Sequence, residues 1–411
     1  MVRLYLDNAA TSFPKPPGVY EAMLEFGTHI GSSPGRGHYA EAKQGAAILA
    51  ETRSLLCDLF NGEDPNHVIF TLNTSDALNL AIKGILGHAI LSRKRTTRPV
   101  HAITTRMDHN SVLRPLAAMH SQHDVQWTCV DADPKTGVIE PASVRDAMSD
   151  DTALVVINMA SNVTGTIQDV ASIADICRKR NIPLLVDAAQ AAGHLPIDVQ
   201  TLGIDLLAVP GHKGLLGPQG TGALYIRPGI EQRMTTVREG GTGSSYELDV
   251  QPDAMPERFE AGSHNTVGIA GWRVALQWLK QKSVETLRLH EVTLGEQLIR
   301  GFADLSCNGL QLLGPARMDL RVGVFSVVHQ SIAPTTLAQR LEQHQVLVRS
   351  GIHCAPRAHR TFGTLENPRS LGATRLSLGP YITSHDIERT LSALADSVAT
   401  PRVLASASVS S

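Results

Sequence analysis

Between about residues 40 and 230 the chain alternates two patterns. Short, almost wholly apolar runs are separated by longer stretches in which apolar residues recur at helical spacing. The runs predict seven strands, at 67–72, 100–104, 125–130, 153–160, 183–186, 205–209 and 222–226. The stretches between them predict helices at 42–60, 76–86, 111–119, 143–148 and 170–179. Strands without a polar face are buried on both sides, so the expectation is a mainly parallel sheet with helices on either face. In such a sheet the chemistry collects in the loops at the carboxyl ends of the strands.

From 227 to 263 the alternation lapses into a long irregular connection rich in Gly, Thr, Ser and Pro, a length usually tied to function or to an interface. Two long helices are predicted next, at 267–279 and 284–305. A smaller mixed pattern follows, with strands at 310–313, 322–328, 346–349 and 374–378 and helices at 335–343 and 385–395. The division expected is a large α/β domain over 15–265 and a smaller α+β domain over 1–14 and 266–398. Residues 399–411 read as a frayed tail.

With 411 residues and 42% hydrophobic content the chain can fill two cores, so general disorder is excluded. Lys plus Arg number 37 against 39 Asp plus Glu, and so balanced a chain carries no basic field for nucleic acid. No apolar run approaches the ~20 residues that span a bilayer, and the opening MVRLYLDNAAT lacks the pattern of a secretory signal. Five scattered cysteines with no C-x-x-C pair argue against a disulfide scaffold and for the cytoplasm. Cys57, Cys129, Cys177 and Cys307 each read as small apolar residues inside helix or strand patterns.

Two strand ends carry charge. The run 183–186 ends in Asp187, which taken alone is equally well a helix cap or a buried ion-pair partner. The run 205–209 is followed by Pro210-Gly211-His212-Lys213-Gly214, an unusual place for a solvated lysine. A lysine held there loses solvation and gains nucleophilic amine character. Together, a strand-end Asp and a strand-end Lys are what pyridoxal phosphate requires: an amine to bind it covalently and a carboxylate to keep its pyridine nitrogen protonated. Its phosphate needs donors at a helix start. Thr74 and Ser75, between a strand and the helix opening at Asp76, supply them, although alone they are an ordinary cap. His109 and Asn110 follow the next strand and can lay an imidazole over the cofactor ring.

Seven segments stand in the order of a known family: LDNAAT at 6–11, TLNTSDALN at 71–79, RMDHNSV at 106–112, SNVTGT at 161–166, VDAAQAAGHLPIDV at 186–199, GHKGLLGPQGTG at 211–222 and FEAGSHNT at 259–266. Over about residues 5–394 the chain resembles cysteine desulfurases and selenocysteine lyases, in the class V aminotransferase-like group of fold-type I pyridoxal phosphate enzymes. RSGIHCAP at 349–356 resembles the R-x-G-x-H-C-A loop of one subgroup through Arg349, Gly351, His353, Cys354 and Ala355. Cys354 lies in the most polar and flexible loop that holds a cysteine, a setting suited to a nucleophilic thiol.

The resemblance implies a homodimer that converts L-cysteine to L-alanine, with Lys213 and His109 catalytic and sulfur passing to Cys354 as a persulfide and on to an acceptor protein. It implies that Asp187 meets the pyridinium, Gln190 the ring oxygen, and Thr74, Ser75 and His212 the phosphate, with Ser263 reaching the phosphate from the second subunit. Arg375 would hold the substrate carboxylate with Asn162 and Arg349 close by. Pro210 replaces a serine of close relatives, the loop after Lys213 is one residue longer, and Ile352 stands where a second histidine is common.

Selenocysteine as substrate stays open, as does a class V aminotransferase or other lyase in which Cys354 is incidental. A non-catalytic scaffold is disfavoured because Lys213, Asp187, His109, Arg375 and Cys354 are all present. A nucleotide binder would need G-x-G-x-x-G or a P-loop after a strand, and neither occurs. His353, Cys354 and His359 lack a fourth ligand, so no metal is expected.

Overall fold

A computed structural model describes residues 3–35, 37–93, 98–242, 247, 249–366 and 371–399; the expected tail, apart from Ala399, lies outside them. Strand β1 (Leu4–Tyr5) is followed by α1 (Val19–Glu25) with a π-turn over Phe26–Ile30, then α2 (Ala40–Leu59) and β2 (Val68–Thr71). Next come α3 (Thr74–Ser92), β3 (Val100–Thr105), α4 (Asn110–Gln122), β4 (Val125–Val130), α5 (Pro141–Ala147) and β5 (Thr152–Asn158). They lead into α6 (Val170–Lys179), β6 (Leu184–Asp187), α7 (Val199–Leu202), β7 (Leu206–Pro210) and β8 (Gly222–Ile226).

These strands form one seven-stranded sheet in the order β2-β8-β7-β6-β5-β3-β4, in which β8 alone runs antiparallel to its neighbours. Its sequence pattern has a direct physical cause. Leu154, Val156, Leu185, Leu206, Ala208 and Leu224 pack into one apolar layer, while Val155, Ile157, Leu184, Val186, Leu207 and Val209 pack into the other. Both faces are covered, so alternation of side gives no alternation of polarity.

Helices α8 (Thr266–Lys282) and α9 (Val284–Asp304) start on side-chain caps, Asn265 to the amide of Gly268 and Ser283 to that of Thr286. Beyond them lie β9 (Leu310–Leu312), β10 (Val324–His329), α10 (Pro334–Gln343), β11 (Val346–Leu347), β12 (Arg349–Gly351), α11 (Pro356–Thr361), β13 (Ala373–Ser377) and α12 (Ser384–Val398). An antiparallel sheet β12-β13-β10-β9 packs over a third apolar cluster that includes Leu298, Phe325, Leu376 and Leu394. Strand β1 joins this region by pairing parallel to β11, and Leu4 and Leu6 enter its core.

Some expectations change. The strand expected at 346–349 is two, because the chain shifts at Val348 from pairing with β1 to pairing with β13. Cys307 is exposed in a 3₁₀ turn, Leu305–Asn308, rather than sheltered in an apolar element. Cys57 and Cys177 are buried as expected, and Cys129 is partly so.

Candidate functional site

Five parallel strands deliver their carboxyl ends to one cleft of about 300 Å³. After β2 come Thr74 and Ser75; after β3, His109; after β5, Asn162. Asp187 ends β6 and leads to Gln190, while β7 leads to His212 and Lys213. This one cleft gathers Thr74, Ser75, His109, Asn162, Asp187, Gln190, His212 and Lys213.

The floor is dry. Asp187 is 4% exposed, and its Oδ1 accepts the amide of Ala189 at 2.9 Å. Burial pushes its carboxyl above the usual range, while that hydrogen bond and the charge of Lys213 pull it back. Burial takes Lys213 down to about 8, against the opposing pull of Asp187. The His212 carbonyl, in the peptide before Lys213, accepts from the Ser12 amide (2.9 Å), Lys15 Nζ (3.0 Å), Thr11 Oγ1 and Ser12 Oγ (both 3.1 Å). Lys15 is itself held down at about 8 by burial. Nearby, a Cβ on Gly214 would stand 2.2 Å from the Ala192 carbonyl, so only glycine lets these two loops cross.

At the entrance two helix starts are joined. Asn73 caps α3 through the amide of Asp76, and Ser75 Oγ lies 2.6 Å from Ser111 Oγ in the first turn of α4. His109 caps α4: its Nδ1 accepts the Ser111 amide at 3.0 Å, which leaves the ring proton on Nε2. Burial first, then the charges of Lys213 and Arg349, depress His109 to about 4, so its ring is neutral. His212 is likewise held near 4, by burial and then by Lys213 and Lys15. Thr74 Oγ1, His212 Nδ1 and Asn162 Oδ1 are buried without a hydrogen-bond partner.

Cys354 is exposed, in a loop whose main chain is held at several points. His353 and Cys354 both have left-handed backbones, with φ of 53° and 57°. Asn162 Nδ2 donates to the His353 carbonyl at 2.6 Å, and the amide of Asn110 donates to the Cys354 carbonyl at 2.9 Å. The loop expected to be flexible is thus tied to two walls of the cleft. Arg349 Nη2 stands 3.9 Å from Cys354 Sγ. Arg375, 1% exposed, donates to Asp7 Oδ1 at 2.8 Å and to the Asn162 carbonyl at 3.1 Å, and its Nε is buried without a partner.

Ser263 is not brought to the cleft of its own chain. It is exposed beside a different cavity with Arg53, Glu260 and His264. There Glu260 accepts from Arg53 Nη1 (2.8 Å) and from the Phe70 amide (2.5 Å), which fastens this segment to β2.

Sequence reasoning missed Asp7, Lys15, Asn158 and Asp108. Asn158 lines the cleft, its Nδ2 donating to the Met107 carbonyl at 2.6 Å and its Oδ1 buried without a partner. Asp108 is fully buried, accepts from Thr104 Oγ1 and from the amide and hydroxyl of Thr105, and is pushed up to about 7 by burial. A polar residue closing an apolar run was the available signal for Asn158, as it was for Asp187.

The chain is 30% identical over 391 residues to a probable cysteine desulfurase of Methanothermobacter thermautotrophicus, covering 94% of this chain and 92% of the relative. To the cysteine desulfurase IscS of Methanosarcina thermophila it is 32% identical over 394 residues, covering 94% and 90%. Among solved structures, the apo cysteine desulfurase of Thermococcus onnurineus superposes with a TM-score of 0.87 at 27% identity, covering 96% of this chain and 94% of that one. The cysteine desulfurase CsdA of Escherichia coli, at 23% identity and a TM-score of 0.81, shares the fold, with coverage of 96% and 94%. Residues 4–390 match the family described as aminotransferase class-V, and with a fold, a cleft and relatives that all agree, the chain belongs to that family.

Proposed function

We propose that this protein is a pyridoxal-phosphate-dependent cysteine desulfurase, converting L-cysteine to L-alanine and leaving the sulfur as a persulfide on Cys354. The observation that carries the reading is the anchoring of the Cys354 loop. Its two central carbonyls are held by Asn110, beside the His109 cap, and by Asn162, in the wall of the Lys213 cleft. A cysteine incidental to the chemistry has no need of a left-handed backbone tied to that cleft.

The class V aminotransferase family works with pyridoxal phosphate, and the residues present fit it. Thr74 Oγ1 and His212 Nδ1 are buried polar atoms without partners, placed where a phosphate would be received at the start of α3. Lys213 would hold the cofactor covalently, Asp187 its ring nitrogen and Gln190 its ring oxygen, with the neutral His109 ring stacked over it. When bound, the cofactor supplies an electron sink for charge developing on the substrate's carbons.

The chain's own residues do the rest. Arg375 and Asn162 orient the substrate carboxylate, with Arg349 beside them. Lys213, titrating near 8, both accepts and returns a proton at the substrate carbon. The Cys354 thiolate attacks the substrate sulfur: the new S–S bond forms, the Cβ–S bond breaks, and its electron pair stays with the carbon skeleton. A proton then completes alanine.

We further read the molecule as a homodimer, in which Ser263 meets the cofactor phosphate of the other subunit. Its exposure beside a cavity away from its own cleft supports this. Persulfide sulfur would pass to an acceptor protein. A small domain over 1–14 and 266–398 beside a large one over 15–265 draws support from the separate apolar cluster of residues 4, 6 and 294–398. Helix α8, however, packs through Ile269, Trp272 and Leu276 into the core of the large domain, which favours a boundary after that helix. Five free thiols suit a reducing cytoplasm.

Cysteine is added to the cofactor-loaded protein, with and without a keto acid, while alanine and the mass of the Cys354 peptide are followed. Alanine without keto acid, together with one added sulfur on Cys354, is expected. Alanine that appears only with keto acid and leaves Cys354 unmodified would establish the aminotransferase reading instead.

A further inference from the structure

His353 and His359 are buried outside the cofactor cleft, 3% and 0% exposed. The first immediately precedes Cys354, and the second lies in α11, just after it. The ring nitrogens form one line: Thr364 Oγ1 is 2.7 Å from His359 Nδ1, and His359 Nε2 is 3.2 Å from His353 Nδ1. The rings lie 5.3 Å apart between centroids at 35°. Thr364 is fixed in turn, its amide donating to the His359 carbonyl at 2.9 Å and its carbonyl accepting the Gly372 amide at 2.8 Å.

Burial, followed by the charge of Arg375, depresses His353 to about 2 and His359 to about 4, so both rings are neutral. A neutral imidazole carries one proton, and an N–H···N bond between the rings needs one proton, not two and not none. The rings therefore carry the same tautomer: the Thr364 hydroxyl donates to the His359 carbonyl at 3.1 Å and so accepts from His359 Nδ1, which leaves His359 Nε2 to accept from His353 Nδ1. Such a line is directional, whereas an apolar pair of the same size would leave the His353 ring free to turn.

What it holds is costly. Gly351, His353 and Cys354 have φ of 111°, 53° and 57°, and a non-glycine residue in the left-handed region is strained. The bonds from Asn162 and Asn110 fix the two carbonyls, but nothing in them fixes the side of the loop that faces α11.

We propose that Thr364, His359 and His353 form a neutral hydrogen-bond relay that locks the Cys354 loop in its left-handed conformation, making His359 and Thr364 positioning residues for sulfur transfer. The inference rests on the desulfurase reading and adds residues outside its motif. The relay acts on the attack of Cys354 on the substrate sulfur and not on binding of cysteine, so its loss lowers kcat and leaves KM alone.

The test uses the cofactor-loaded enzyme with His359→Leu, His359→Gln and Thr364→Val. Steady-state alanine formation, persulfide on Cys354 in a single turnover, and hydrogen exchange at the Ala355 amide without cysteine are followed. His359→Leu and Thr364→Val are expected to lose about ten- to a hundredfold in kcat, with KM and cofactor absorbance unchanged and Ala355 exchange faster. His359→Gln, whose amide both donates and accepts, recovers most of the rate. If His359→Leu does not fold, the other two variants decide. Wild-type kcat in Thr364→Val, a glutamine variant as slow as the leucine one, or a rise in KM with loss of cofactor absorbance would each overturn the relay. Wild-type protein that forms no persulfide on Cys354 defeats the desulfurase reading, and the relay with it.

Discussion

Asp187 ends β6 and Lys213 follows the neighbouring parallel strand β7 at the same edge of the sheet, and each opposes what burial does to the other. Burial raises the carboxyl and lowers the amine; the partner's charge works against both shifts and is outweighed in both. A lysine left near 8 changes protonation within reach of neutral pH, as proton transfer at a substrate carbon demands.

Replacing Lys213 by Ala should remove covalent attachment of the cofactor. Borohydride reduction is expected to label the wild-type protein on Lys213 and leave the variant unlabelled, with turnover abolished. Full activity in Lys213→Ala would exclude its role.

Asp187→Asn should keep the fold and cost about 3 kcal/mol of transition-state stabilisation, on the order of a hundredfold in rate. An amide keeps the shape of the carboxylate but cannot hold a proton on the ring nitrogen of the cofactor. Circular dichroism and kcat, measured together, check it; wild-type kinetics in a folded variant refute it.

Cys354→Ala should bind cofactor and cysteine, shown by the same spectral change as wild type, yet release almost no alanine. In the proposed reaction the thiolate accepts the sulfur, so its removal should stop that step alone. Undiminished desulfuration would end the sulfur-transfer reading while leaving the fold intact.

Stability should rise as pH increases from about 4 to 6.5. His109, His212, His353 and His359 are depressed to about 4 or below in the folded protein, so across this window the unfolded chain binds more protons at each of them. Their contribution is complete above the unfolded value of 6.5 and is lost as pH falls. Asp108 and Asp187, raised by burial, act in the opposite direction as pH rises. His101, Glu260 and Glu291 are lowered as well and act with the four histidines, so the sites favouring higher pH outnumber the two that oppose it. Urea melts at pH 4.5, 5.5 and 6.5 check it, and a midpoint that falls across the series contradicts it.

The sheet was legible because burial on both faces wrote unbroken apolar runs, and Asp187 and Lys213 were legible because charges ended two of them. What lay outside local pattern was not. Asp7 meets Arg375 across 368 positions, and Asn158 falls inside the strand expected at 153–160, its place at the cleft showing only when β5 ends there between β3 and β6. The α1 region was missed because seven helical residues pass directly into the glycine-bearing turn Phe26–Ile30, too short a period to register. His359 and Thr364 bracket Gly363, and turn composition of that kind hides a buried pair.

The grip of Thr11, Ser12 and Lys15 on the His212 carbonyl also governs when during synthesis the site can exist. Residues 11–15 reach that peptide across roughly 200 positions of chain, and β1 and Asp7 reach β11 and Arg375 across well over 300. Contacts so distant in sequence close late, after local helices and the central strands have formed. A nascent chain halted before β11 has Lys213 and the strands of the large sheet, but neither Arg375 nor the strand that carries β1 to its seat. Sulfur chemistry is therefore expected only once β1 has met β11 and Asp7 has met Arg375.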